Sequence, residues 1–118
     1  MQIIFDKNVA IELRQRYIVL ELDTIMQPKM TEPTTLYAVI ENIDINAISN
    51  LVDIIAQHQT MVEQYKNNEW QDAAFNANAL KGSWKGEIDE FYDLVISTAN
   101  EMIEKNLTWN GIRYTTPT

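Results

Sequence analysis

Four carboxylates, Glu87, Asp89, Glu90 and Asp93, crowd the stretch that follows Gly82-Ser-Trp-Lys-Gly86, and the chain holds a single histidine, His58. Acids spaced i, i+3 or i, i+4 share one side of a helix, so Glu90 with Asp93, or Asp89 with Asp93, offer the oxygen ligands a divalent cation takes. With His58 added, these five residues describe the metal site of a hydrolase. That chemistry needs ligands from a second element, and no ligand motif elsewhere in the chain supplies them. A plainer reading accounts for the same residues. Gly82 falls where a helix would end on a left-handed residue. The acids then fall in the first turn of the next helix, where carboxylates meet the positive end of its dipole. On this reading the glycines are helix punctuation, the acids begin a helix, and neither a metal nor a cofactor is expected.

His58 is the one side chain whose ordinary titration lies near neutral pH. It sits on an apolar helical stripe beside Met61 and Tyr65, and "QHQT" offers neither a nucleophile nor an orienting group, so it is expected to be a packing residue. No Gly-rich phosphate loop, histidine pair or nucleophile elbow is present, and a non-enzymatic protein is expected. Trp70 lies on a helical stripe and reads as core. Trp84, set between glycines and lysines, is a candidate half-exposed anchor for another chain. Met26 and Met30, in the proline-containing segment 26–34, are further interaction candidates.

The elements that must position these residues follow from the hydrophobic period. "QIIF" (2–5) predicts a short strand, and Asp6 or Asn8 the cap of a short helix, "VAIELRQR", with Val9 and Leu13 on one face. "RYIVLELDTI" (16–25) predicts a strand with Ile18, Leu20 and Leu22 on a buried face and Val19, Glu21 and Asp23 on a wet one. "TTLYAVIENI" (34–43) predicts its hairpin partner across the loop 26–34. From about Asn46 the period becomes 3.6. Ile48, Leu51, Val52, Ile55, Val62 and Tyr65 form one stripe, and Ile54, His58, Met61 and Tyr65 another.

Asn67-Asn68 interrupts this helix. The next, "EWQDAAFNANALK", turns Trp70, Ala73, Ala74, Ala77 and Leu80 inward. A third, over 83–106, carries Ile88, Phe91, Tyr92, Val95, Ala99, Met102 and Ile103 on one face. Asn110-Gly111 between Trp109 and Ile112 predicts a type I′ hairpin. The expected fold is a single α+β domain, with antiparallel strands from the two ends packed on a central segment of about three main helices.

Composition narrows the function. The formal charge of −8 is shared, about −3 over residues 1–46 and about −5 over the remainder, with no basic cluster, so direct nucleic-acid binding is disfavoured. The absence of cysteine removes disulfides and thiolate chemistry and fits a reducing compartment. Met1 leads into "QIIFDKN" without a basic region or a long apolar run, so a cytoplasmic protein with no signal peptide and no membrane partner is expected.

Three groups of residues carry a resemblance. They are Glu21-Leu-Asp-Thr24; Tyr65-Lys66 with Glu69-Trp70 and Ala73; and Leu80, Gly82, Trp84, Gly86-Glu87, Asp89 and Phe91-Tyr92. Over about residues 1–100 the chain resembles a small-protein family of tailed phages that infect marine cyanobacteria. The resemblance implies a phage or marine-metagenome origin and action in the host cytoplasm, and it implies no catalytic residues. The segment from Tyr65 to Ala73 also resembles half a tetratricopeptide unit, without the repeat.

The leading expectation is a non-enzymatic accessory or interaction protein that acts as a homo-oligomer, with a host or virion protein as a further partner. A second is an acidic mimic of nucleic acid, resting on the six carboxylates between Glu87 and Glu104. The third is the metal-dependent hydrolase.

Overall fold

The computed structural model, which describes residues 1–41 and 49–115, divides close to where the hydrophobic period changes. One unit comprises Met1–Glu41 with Gly111–Thr118, and the other Asn42–Asn110. Among the described residues no helix is long and apolar enough to cross a membrane.

The first unit contains β1 (Gln2–Ile4), α1 (Lys7–Leu13), β2 (Ile18–Met26), β3 (Thr34–Ile40) and β4 (Arg113–Tyr114) in one sheet of order β1-β3-β2-β4. Asp6 caps α1, its Oδ1 accepting from the amides of Asn8 at 2.8 Å and Val9 at 3.3 Å. The helix therefore begins two residues before the predicted start. Ala10, and not Val9, is its buried residue. Ala10 joins Val19, Tyr37 and Val39 in a core cluster flanked by Ile4 and Leu13.

This cluster corrects the expected wet face of β2, because α1 covers it. Asp23 is buried for a different reason. Glu21 pairs with Tyr37, but Thr24 pairs with Thr35, so Leu22 and Asp23 stand together opposite Leu36. Such a one-residue bulge breaks the alternation and re-aims the side chains at it.

The α+β class is as expected, but the strands are not all antiparallel. β1–β3 and β2–β3 are, whereas β4 runs parallel to β2. Nor does Asn110-Gly111 form a type I′ hairpin. That turn needs positive φ at both central residues. Gly111 has φ 83, and Asn110 is not among the residues with positive φ.

The second unit holds α2 (Leu51–Lys66), α3 (Trp70–Leu80) and α4 (Asp89–Lys105), with α3 packed against both neighbours. The described residues thus contain four helices, three of them long. The predicted start of α2 near Asn46 and its stripe residue Ile48 lie outside the described residues. Val52, predicted inward, is exposed in the first turn, and the buried stripe is His58, Met61, Val62 and Tyr65. Trp70, Ala73, Ala77 and Leu80 face inward on α3, as do Tyr92, Val95, Thr98 and Ala99 on α4.

Candidate functional site

Between α3 and α4 the chain turns through three left-handed residues, Gly82 (φ 85), Lys85 (φ 55) and Gly86 (φ 85). Gly82 follows the cap residue Lys81, where a left-handed residue ends a helix. The carboxylates serve this turn. Asp89 Oδ1 accepts from the Gly82 amide at 2.9 Å, tying the start of α4 to the end of α3. Asp93 Oδ1 lies 2.6 Å from Lys81 Nζ. The hydrogen bond and charge of Asp93 raise the lysine's pKa, in a solvent-exposed pair. Asp89 and Glu90 occupy the first turn of α4, and Glu87 precedes it. Among the described residues no three His, Cys, Asp or Glu side chains gather to hold a metal ion.

Further along α4, Glu101 pairs with Lys105 at 2.8 Å. With Asp93 neutralised by Lys81 and Asp89 turned onto Gly82, the acids of this helix do not form the unbroken row that imitation of a phosphate backbone needs.

His58 lies elsewhere, inside the helical unit, and it is a member of a buried chain. Trp84 Nε1 donates to Tyr92 Oη at 2.9 Å, and Tyr92 Oη is 2.9 Å from His58 Nδ1. An indole N–H can only donate. The tyrosine hydroxyl accepts from Trp84 and keeps both a lone pair and its own proton for His58 Nδ1, so the direction of that second bond follows the imidazole tautomer. Burial pushes the Tyr92 hydroxyl well above its ordinary pKa, against the lowering effect of the Trp84 bond and with a smaller push from Asp89. Trp84 and Tyr92 are 0% exposed and His58 1%, so all three groups are closed off from solvent. Trp84 is accordingly a core residue, not the half-exposed anchor its neighbours suggested. Its role is to pin the glycine turn to α2 and α4.

A second polar lock holds the segment after α4. Asn68, itself left-handed at φ 65, occupies both backbone groups of Trp109: its Oδ1 accepts from the Trp109 amide at 2.8 Å and its Nδ2 donates to the carbonyl at 3.1 Å. Trp109 Nε1 donates to the Tyr65 carbonyl at 2.9 Å, and Trp70 Nε1 to the Leu107 carbonyl at 3.3 Å. The rings of Tyr65, Trp70 and Trp109 pack together, the closest centroids 4.9 Å apart. Trp109's backbone is therefore committed to Asn68, which removes it from the predicted cross-strand pairing.

In the sheet unit, Arg113 Nε lies 2.8 Å from Asp23 Oδ2, joining β4 to the bulge of β2. Asp23 is 5% exposed, and its Oδ1 has no hydrogen-bond partner among the described residues. Sequence reading missed this pair, because 90 residues separate its members and the Glu21–Thr24 motif that holds Asp23 says nothing of a partner. A shallow cleft of about 440 Å³ opens where Phe5, Lys7 and Tyr37 face Glu32 and Thr35. Met26 and Met30 are half-buried, and Thr34 Oγ1 approaches Met30 Sδ at 3.9 Å.

Of the predicted site residues, His58 is thus sealed in the core, and Asp89 and Asp93 are engaged in closing a turn. Large apolar side chains are also accessible: Phe5, Phe75 and Val52 are 66%, 75% and 78% exposed. Comparison of the chain with protein-family models, with curated proteins and with solved structures finds no match.

Proposed function

We propose that this is a non-enzymatic interaction protein that acts as a homo-oligomer. The observation that carries the reading is the exposure of large apolar side chains in both units, Phe5 beside the edge strand β1 and Phe75 on α3. Single exposed apolar residues are ordinary. Here they coincide with an edge strand whose segment Met1–Phe5 carries no charged side chain, and such an edge invites pairing with another chain. Two copies joined along a two-fold axis would cover it in both. The accessory role implied by the phage-family resemblance is served by the same surfaces, through a host or virion protein.

Sedimentation velocity at micromolar concentration tests this. The wild-type chain is expected to sediment as a species larger than a monomer. Phe5→Asp and Phe75→Asp, at exposed positions that leave the core intact, are expected to shift it toward monomer. A wild type that sediments as a monomer across the range refutes the proposal.

A further inference from the structure

We propose that the cleft beside β3 takes an extended peptide segment of another protein, added to the sheet as a strand where β1 stops, with an acidic side chain toward Lys7 and a basic one toward Glu32. The site differs from the outer edge of β1 and does not depend on self-association. The lengths of the strands create it. β3 runs Thr34–Ile40, but β1 covers only part of it, pairing Gln2, Ile3 and Ile4 with Val39, Ala38 and Tyr37. Beyond Ile4 the chain leaves the sheet to enter α1, which Asp6 caps. Thr34–Leu36 therefore have β2 on one side and no strand on the other.

In extended backbone, successive residues turn their N–H and C=O toward opposite neighbours. At least one of Thr34, Thr35 and Leu36 thus directs both groups into the gap that β1 leaves. Among the described residues, no hydrogen bond reaches their backbone from that side. A half-paired strand of this kind is a template for an added one, whose main chain supplies the bonds and whose side chains supply the specificity. The cleft of about 440 Å³ is this gap. Thr34 and Thr35 form its β3 wall, Phe5 and Lys7 follow the end of β1, and Glu32 precedes the start of β3.

Charge names the occupant. Lys7 and Glu32 are exposed, of opposite sign and on one cleft, and among the described residues neither side chain makes an ion pair or a hydrogen bond. Asp6, the other acid there, is engaged with the first amides of α1. A cation at one end of the gap and an anion at the other suit a segment that carries the opposite charges in the same line. Antiparallel addition, the commoner and more stable pairing, runs that segment from the Lys7 end toward the Glu32 end, so its acid precedes its base. A gap of three residues spans about 10 Å, which sets the two charges two residues apart on one face. Phe5, 66% exposed, adds apolar contact at the rim.

Nuclear magnetic resonance of the full chain, labelled with nitrogen-15, tests this with the peptide acetyl-Thr-Glu-Val-Lys-Thr-amide. The peptide is expected to shift the amides of Thr34, Thr35 and Leu36 saturably, and less strongly as salt rises. Acetyl-Thr-Lys-Val-Glu-Thr-amide is expected to bind several-fold more weakly. The double variant Lys7→Glu/Glu32→Lys, at two exposed positions, should invert that preference. Should it not fold, Lys7→Gln and Glu32→Gln serve instead, each expected to weaken binding about threefold. No saturable shift at millimolar peptide overturns the proposal, as does equal binding of the two peptides or a preference the variant leaves unchanged. The same shifts produced by a mixture of the single acetylated amino-acid amides of Glu and Lys would make the cleft a small-molecule site and overturn strand addition. The same shifts on raising the concentration of the chain alone would make a second copy the occupant, again overturning it.

Discussion

At the scale of single residues, Tyr92 bears the most structural weight, because its hydroxyl hydrogen-bonds both Trp84 and His58. Tyr92→Phe keeps the ring and strands two buried polar groups, which is expected to destabilise the fold by about 3 kcal/mol in urea denaturation. The pH dependence follows from the raised pKa. Tyr92 ionises at about its ordinary value of 10.0 in the unfolded chain and only above it in the folded one. Its contribution is therefore complete below pH 10 and is lost as pH rises beyond. The stability gap between wild type and Tyr92→Phe should be flat at neutral pH and narrow above pH 10; a gap that widens there contradicts the burial of the hydroxyl. Gly82 illustrates a different cause. A Cβ at Gly82 meets nothing within 4 Å, so Gly82→Ala should cost about 1 kcal/mol, from backbone conformation alone. Lys85→Gly, at φ 55, should stabilise by a similar amount. That Asp89 and Glu90 begin a helix was legible in the sequence, since helix ends follow local rules; that Glu87 precedes it and that Asp89 reaches Gly82 and Asp93 reaches Lys81 was not. His58's partner was not, because periodicity assigns a residue to the inward face of its own helix and says nothing of which hydroxyl meets it there.

At the scale of elements, two polar locks fix where the chain goes after α4. Asn68→Gly keeps the left-handed backbone but removes both bonds to Trp109, and should cost about 2 kcal/mol. Asn68→Ala loses the same bonds and adds about 1 kcal/mol of strain at φ 65, so the difference between the two variants isolates the conformational part. In the sheet, Arg113→Ala leaves the Asp23 carboxylate buried without its cation and should cost about 3 kcal/mol by thermal or chemical unfolding. Asp23→Ala/Arg113→Ala should cost less than the sum of its single changes, because the second removes a group the first has left unpaired. These locks explain which elements were foreseeable. The strands and long helices follow from period two and period 3.6. The bulge at Leu22 and Asp23 and the parallel β4 do not, because both depend on a partner strand's register and on Trp109's backbone being claimed by Asn68.

At the scale of the whole molecule, the chain builds two units, one purely helical among its described residues and one a mixed sheet that needs the chain's far end to complete it. Asp89 and Asp93 close a turn, Asp23 and Arg113 neutralise each other, and exposed apolar residues offer contact area. The surface is acidic overall, with a formal charge of −8, so association should strengthen as salt screens repulsion between copies. Light scattering of the wild-type chain at micromolar concentration and physiological salt tests the account most directly. A mass of twice 13.7 kDa or more is the predicted result. A mass of 13.7 kDa under those conditions would contradict it.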